Sequence, residues 1–156
     1  MEFYDRTYNL REMFDREADL SDLIAANPDV VGEWIGEDGL ELEGREQLFG
    51  DVKADILFTT PDGRLVEVEV QLGDADDLHL GEIVRHLSQR EADIFVWVAQ
   101  SFNRAMNRVF RQWNRPGGRD YYTVETYGVE GTRLLGWDVI ESPYTLDREV
   151  DGAASE

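Results

Sequence analysis

The stretch KADILFTTPDGRLVEVEVQL, residues 53–72, constrains the fold more than any other part of the chain, because it reads as an antiparallel hairpin. Two runs of alternating apolar and polar residues flank Pro61, Asp62 and Gly63. Proline presets φ, aspartate bonds back to its own backbone, and glycine accepts positive φ, so the three together favour a tight turn. The length of that turn fixes the rest, since a slip of one residue moves every side chain to the opposite face. With a three-residue turn, Thr60 faces Arg64, and Phe58, Ile56 and Ala54 face Val66, Val68 and Val70 along an unbroken apolar surface. A two-residue turn sets Ile56 against Glu69 and destroys that surface. The odd loop is therefore expected, and it puts Asp55 directly across from Glu69, with Gln71 on the same face.

Two carboxylates opposed across strands repel by roughly 0.2–1 kcal/mol. The hairpin alone leaves two readings open: a solvated outer face, where water screens the charges, or a site that takes a cation between them.

Elsewhere the patterns are coarser. Residues 1–18 show no clean period. LSDLIAANPDVVGEWIG predicts two short helices around Pro28, and GLELEGREQLFGDV predicts a first strand from the alternation at Leu40 and Leu42. After the hairpin, Asp76 or Asp77 is placed to cap a helix whose buried stripe is Leu80, Ile83, Val84 and Leu87, with His79, Glu82 and His86 on another face. DIFVWVA, residues 93–99, is continuously apolar, as a strand covered on both faces should be. Ser101 is expected to cap an amphipathic helix with Phe102, Ala105, Met106, Val109, Phe110 and Trp113 in register, and NRPGGRD to end it. Trp97 and Trp113 are read as core. Two further strands lie near YYTVETY and RLLGWDVI. The result is an α/β chain: helix, three strands, helix, buried strand, helix, two strands, arranged as a mixed sheet with helices on its faces. Residues 1–146 are expected to form one domain and residues 147–156 a disordered tail.

Composition narrows the chemistry. The chain of 156 residues has 42% hydrophobic residues, enough for one core, and no cysteine, which excludes disulfides, thiolate metal sites and cysteine nucleophiles. No run approaches a membrane span, and MEFYDRTYNLREMFDRE lacks the features of a secretion signal, so an intracellular, cytoplasmic and soluble protein is expected. The net charge is −19, with 34 acids against 15 bases, of which Lys53 is the lone lysine. Such an acidic, lysine-poor composition suits a high-salt environment, where the Debye length falls to about 3 Å at 1 M. Under that screening, acidity no longer excludes nucleic acid as a partner.

The fragments GDVKADI, VEVQL, DDLHLGEIVRHL and VWVA occur in an order and spacing that resembles the PD-(D/E)XK, or restriction-endonuclease-like, nuclease superfamily. The likeness is closest to a mostly uncharacterised prokaryotic branch that reads approximately G-x-x-x-A-D-I, I-E-N-Q-L, D-H-x-H-L-G-x-x-x-x-Y and V-W-I-A, and it covers about residues 28–140. The resemblance implies an αβββαβ core with flanking helices and two C-terminal strands. It also implies a metal-dependent nuclease in which Asp55, Glu69 and the carbonyl of Val70 bind Mg²⁺ or Mn²⁺. Gln71 takes the position usually held by lysine; it can orient a water but carries no charge. A glutamate from the first helix often completes such sites, making Glu33 the candidate with Glu46 behind it. His79 matches the second histidine of the branch pattern, while Asp77 and His86 depart from it. DNA is the implied partner, with a homodimer possible and no membrane. Arg104, Arg108, Arg111 and Arg115 form a stripe that can track a phosphate backbone, with a solvated helix face as the alternative. A catalytically silent module of the same fold, within a defence, repair or viral complex, is the competing expectation.

Overall fold

The structure, a computed structural model, describes residues 7–49, 52–89, 92–129 and 135–144. The expected tail at 147–156 and the side chain of His86 lie outside the described residues.

The hairpin forms as β3 (Val52–Thr59) and β4 (Leu65–Val70) in the odd-loop register, with Phe58 opposite Val66 and Ile56 opposite Val68. Its turn closes through the Thr60 amide, which donates to the Arg64 carbonyl at 3.0 Å, and Gly63 supplies the positive φ of 87° that the turn requires. Upstream, β2 (Glu41–Phe49) pairs antiparallel to β3, with a bulge between Leu42 and Gly44.

The apolar run then does what its composition demands. β5 (Ile94–Ala99) is buried at all six positions and lies parallel to β4, reached through α4 (Asp77–Gln89). A second crossover, α5 (Arg104–Trp113), leads to β6 (Asp120–Val129), again parallel, and β7 (Leu135–Glu141) returns antiparallel to β6. The parallel trio thus occupies the protected centre of a seven-stranded mixed sheet. The first eighteen residues, which carry no clean period, include β1 (Thr7–Tyr8), paired with the end of β6, and α1 (Leu10–Met13). They are followed by α2 (Glu17–Ala25) and α3 (Pro28–Ile35), the two helices expected around Pro28. Among the described residues no helix is long and apolar enough to cross a membrane.

Helices cover both faces. On one, Leu20, Ile24, Val31 and Trp34 pack on Ile56, Phe58, Val68 and Val96. On the other, Ile83 of α4 and Met106 and Phe110 of α5 pack on Phe95 and Trp97. Alternation along β4 sends its valines to the first face and Glu67, Glu69 and Gln71 to the second. Burial of the aromatic residues there contributes about 1.5–3 kcal/mol each, which offsets the cost of enclosing polar groups beside them.

Three details differ from expectation. Val84 is 48% exposed, because only Leu80, Ile83 and Leu87 of α4 turn toward the sheet. Asn103, rather than Ser101, caps α5: its Oδ1 accepts from the Met106 amide at 2.9 Å, while the Ser101 hydroxyl donates to Asp74 at 2.7 Å. Ala105 of the expected stripe is exposed.

Candidate active site

The ladder between β3 and β4 pairs residues as far as Ile56 and Val68. At the next step Asp55 Oδ2 accepts the Val70 amide at 2.9 Å, so a side chain takes the place of a strand partner. The solvated-face reading fails here: Glu67 is 0%, Glu69 6% and Gln71 4% exposed, enclosed beneath the second helical layer.

Burial dominates the electrostatics. The Asp55 carboxyl is pushed up to about 6, mainly by desolvation, against the lowering effect of the Val70 amide and with further upward pressure from the charge of Glu17. Glu69 is pushed up to about 10, first by burial and then by the charges of Asp55, Glu67, Glu17 and Glu82. Asp55 ionises first, and its charge then holds a proton on Glu69. Such a pair is what a divalent cation would convert into two carboxylates.

The structure does not bring Glu33, the expected third acid, to the pair. Glu33 is exposed on α3, whose buried residues pack on the opposite face of the sheet, and its charge does not figure among those acting on Asp55 or Glu69. The acid that reaches the pair is Glu17, the first residue of α2. Its Oε1 accepts the Leu72 amide at 2.9 Å, and its charge acts on both carboxyls. The sequence signal was an acid opening an amphipathic helix, masked by the irregular composition before it. Glu46 lies between residues paired with Ile56 and Ala54, hence beside Asp55, with a φ of 49°, and is ion-paired to Lys53 at 3.2 Å.

Beyond the end of β4 the chain turns around a cavity of about 390 Å³. Gln71, Asp74, Asp76, His79, Glu17 and Arg11 contribute to its lining. Gln71 Nε2 donates to the Asp74 carbonyl at 2.6 Å and to Asp76 Oδ2 at 3.3 Å, whereas its buried Oε1 accepts no hydrogen bond among the described residues. Asp76 caps α4, its Oδ1 accepting the His79 amide at 2.8 Å, and the same oxygen lies 2.7 Å from His79 Nδ1. Arg11, which sequence reasoning did not single out, brings its guanidinium over Gly73, where an added Cβ would stand 3.1 Å from it.

The arginine stripe divides. Arg104 and Arg108 are exposed, and Arg115 is exposed with its Nε donating to the Gln112 carbonyl at 3.2 Å. Arg111, expected among the phosphate contacts, is instead ion-paired at 2.8 Å to Glu141, whose side chain is 3% exposed. A buried carboxylate needs that counter-charge, so Arg111 is committed to the sheet. Because α5 leaves the same end of the sheet at which β4 reaches the cavity and runs back, Arg104 starts nearest that end and Arg115 finishes at the other.

No family model and no curated protein matches the chain. Among solved structures, it is similar to a repair endonuclease from Pyrococcus abyssi, with a TM-score of 0.53 and 20% identity over 72% of this chain and 46% of that one. A structure of an EndoMS–dsDNA2 complex matches with a TM-score of 0.47 and 23% identity over 80% of this chain and 48% of that one. The chain spans just under half the length of each. The likeness to the repair endonuclease shows the fold alone: a mixed α/β sheet flanked by helices.

Proposed function

We propose that the chain hydrolyses phosphodiester bonds of DNA with the help of a divalent cation, Mg²⁺ or Mn²⁺. The observation that carries this reading is the pair Asp55 and Glu69, two mutually repelling carboxyls held side by side at the break in the β3–β4 ladder. Burying acids in this way destabilises a fold unless something positive is to join them.

The donor set fits the ion. Carboxylate oxygens of Asp55 and Glu69, the carbonyl of Val70 and, behind them, Glu17 are all hard oxygen donors, which magnesium prefers. Among the described residues no three acidic or histidine side chains gather closely enough to enclose an ion by themselves. The cation, when bound, supplies positive charge to the phosphate and makes a bound water more acidic.

The chain's own residues do the rest. The Val70 amide favours the ionised form of Asp55 against the effect of burial, and Glu17 ties the chain beyond β4 through Leu72. Gln71 is locked by its amide group to Asp74 and Asp76, which leaves Oε1 to orient a water. Arg11 at the cavity, with Arg104 and Arg108 on α5, supplies guanidinium groups for the phosphate backbone. The composition fits this chemistry at high salt, where repulsion between an acidic surface and DNA is screened.

The test is cleavage of labelled single- and double-stranded DNA in about 1 M KCl, with Mg²⁺ or Mn²⁺, comparing wild type with Asp55→Asn and Glu69→Gln. Metal-dependent cleavage lost in both variants is expected. A folded wild type that cuts neither substrate would refute the reading and favour the second one, a silent binding module of the same fold. That second reading draws on the uncharged Gln71 at the position where the resembling superfamily usually holds a lysine.

A further inference from the structure

A hydrolytic site needs a group that takes a proton from the attacking water, and Gln71 cannot do so. The cavity contains a group that can. One carboxylate, Asp76, holds two neighbours at once: Oδ1 lies 2.7 Å from His79 Nδ1, and Oδ2 accepts from Gln71 Nε2 at 3.3 Å. The hydrogen bond to Asp76 selects the tautomer protonated at Nδ1, which leaves the lone pair on Nε2. Gln71 is 4% exposed, and its Oε1 accepts no hydrogen bond among the described residues. His79 and Gln71 line the same cavity.

We propose that Asp76 and His79 form a carboxylate–imidazole pair in which His79 Nε2 is the general base for the attacking water in the cavity that His79 shares with Gln71. The inference rests on the hydrolytic reading of the site above. As the water oxygen bonds to phosphorus, one of its protons passes to Nε2. The bond from phosphorus to the leaving sugar oxygen breaks, and that oxygen takes a proton from solvent. The imidazolium then returns its proton to solvent.

Asp76 also has a purely structural role as the cap of α4, so the two roles must be separated. The charged groups that line the cavity with the imidazole are Arg11 of α1, Glu17 of α2, and Asp74 and Asp76 of the segment between β4 and α4; Glu82 lies three residues on along its own helix. Asp76 is held below the usual carboxylate range by the His79 amide and ring, so it stays ionised as the imidazole's partner.

The experiment measures kcat/KM against pH for metal-dependent DNA cleavage by wild type, His79→Ala, His79→Gln and Asp76→Ser. Serine retains an oxygen that caps a helix but cannot stabilise an imidazolium. His79→Ala is expected to lose activity by roughly 100-fold and to lose the acidic limb that the imidazole contributes to the profile. Added free imidazole should restore part of its rate, while His79→Gln stays slow and Asp76→Ser falls at least about tenfold. Full activity and an unchanged profile in the His79 variants would overturn the proposal and leave the nuclease reading standing. Loss of activity that imidazole does not restore, with the profile's shape unchanged, would overturn it as well, reducing His79 to packing. A wild type without cleavage would overturn both.

Discussion

Replacing Glu69 with glutamine probes the buried acid pair most directly. In the cation-free protein, burial and the charge of Asp55 push the Glu69 carboxyl up to about 10, whereas an unfolded glutamate ionises near 4.3. Between those values the folded state keeps a proton that the unfolded state has released, so stability falls as pH rises through the window. Holding that proton at about pH 8 costs roughly 1.4 kcal/mol for each of ~3.5 pH units, a ceiling near 5 kcal/mol. Glutamine has the shape of the protonated acid and carries no such cost. If half the ceiling is realised, Glu69→Gln raises Tm by about 5–10 °C at pH ~8 in a chain of this size. At pH ~5 the gain shrinks to ~1 kcal/mol or less. Thermal unfolding followed by circular dichroism in EDTA and about 1 M KCl reads both values directly. Magnesium should then raise the Tm of wild type at the higher pH and leave the variant unmoved. A variant that melts at or below wild type at pH ~8, or gains equally at both pH values, would refute the argument.

Three further outcomes follow from packing and charge. Gly32→Ala should gain about 1 kcal/mol of helix propensity, yet its Cβ would stand 2.3 Å from the Glu37 carbonyl oxygen, so overpacking of roughly 1–3 kcal/mol wins. A melt showing higher Tm would sink that reasoning. Arg111→Ala strands the Glu141 carboxylate and should cost about 2 kcal/mol in denaturant unfolding, whereas Arg108→Ala should stay within ~0.5 kcal/mol of wild type; equal effects would contradict the division of the stripe. Arg104→Ala and Arg108→Ala together should weaken DNA binding and flatten its salt dependence by about two phosphate contacts, and an unchanged slope in a binding titration would place the nucleic acid elsewhere.

The hairpin was legible because three local rules agree on it: turn chemistry at Pro61–Gly63, alternation on both strands, and one register that keeps the apolar face whole. The parallel centre was legible for a similar reason, since DIFVWVA can be satisfied only by cover on both faces. Glu17 was not legible. Its role depends on where α2 begins relative to the end of β4, a long-range fact that no local period encodes. Glu33, the acid that the resemblance pointed to, is exposed on α3. Arg111 shares its spacing with Arg104 and Arg108, and only the arrival of Glu141 at the end of β7 separates it from them. Asn103 rather than Ser101 is the cap because α5 begins at Arg104, while the Ser101 hydroxyl donates to Asp74 across the chain.

The amide of Val70 is guarded by a side chain rather than by a neighbouring strand. Its exchange with deuterium therefore answers to the state of one carboxylate. Anything that takes up the Asp55 lone pairs, whether a proton or a cation, loosens this single bond while Ile56 and Val68 remain paired on the next rung. The middle of a rigid sheet thus carries a spectroscopic window onto its own ionisation, at an amide one residue from Glu69 and one from Gln71.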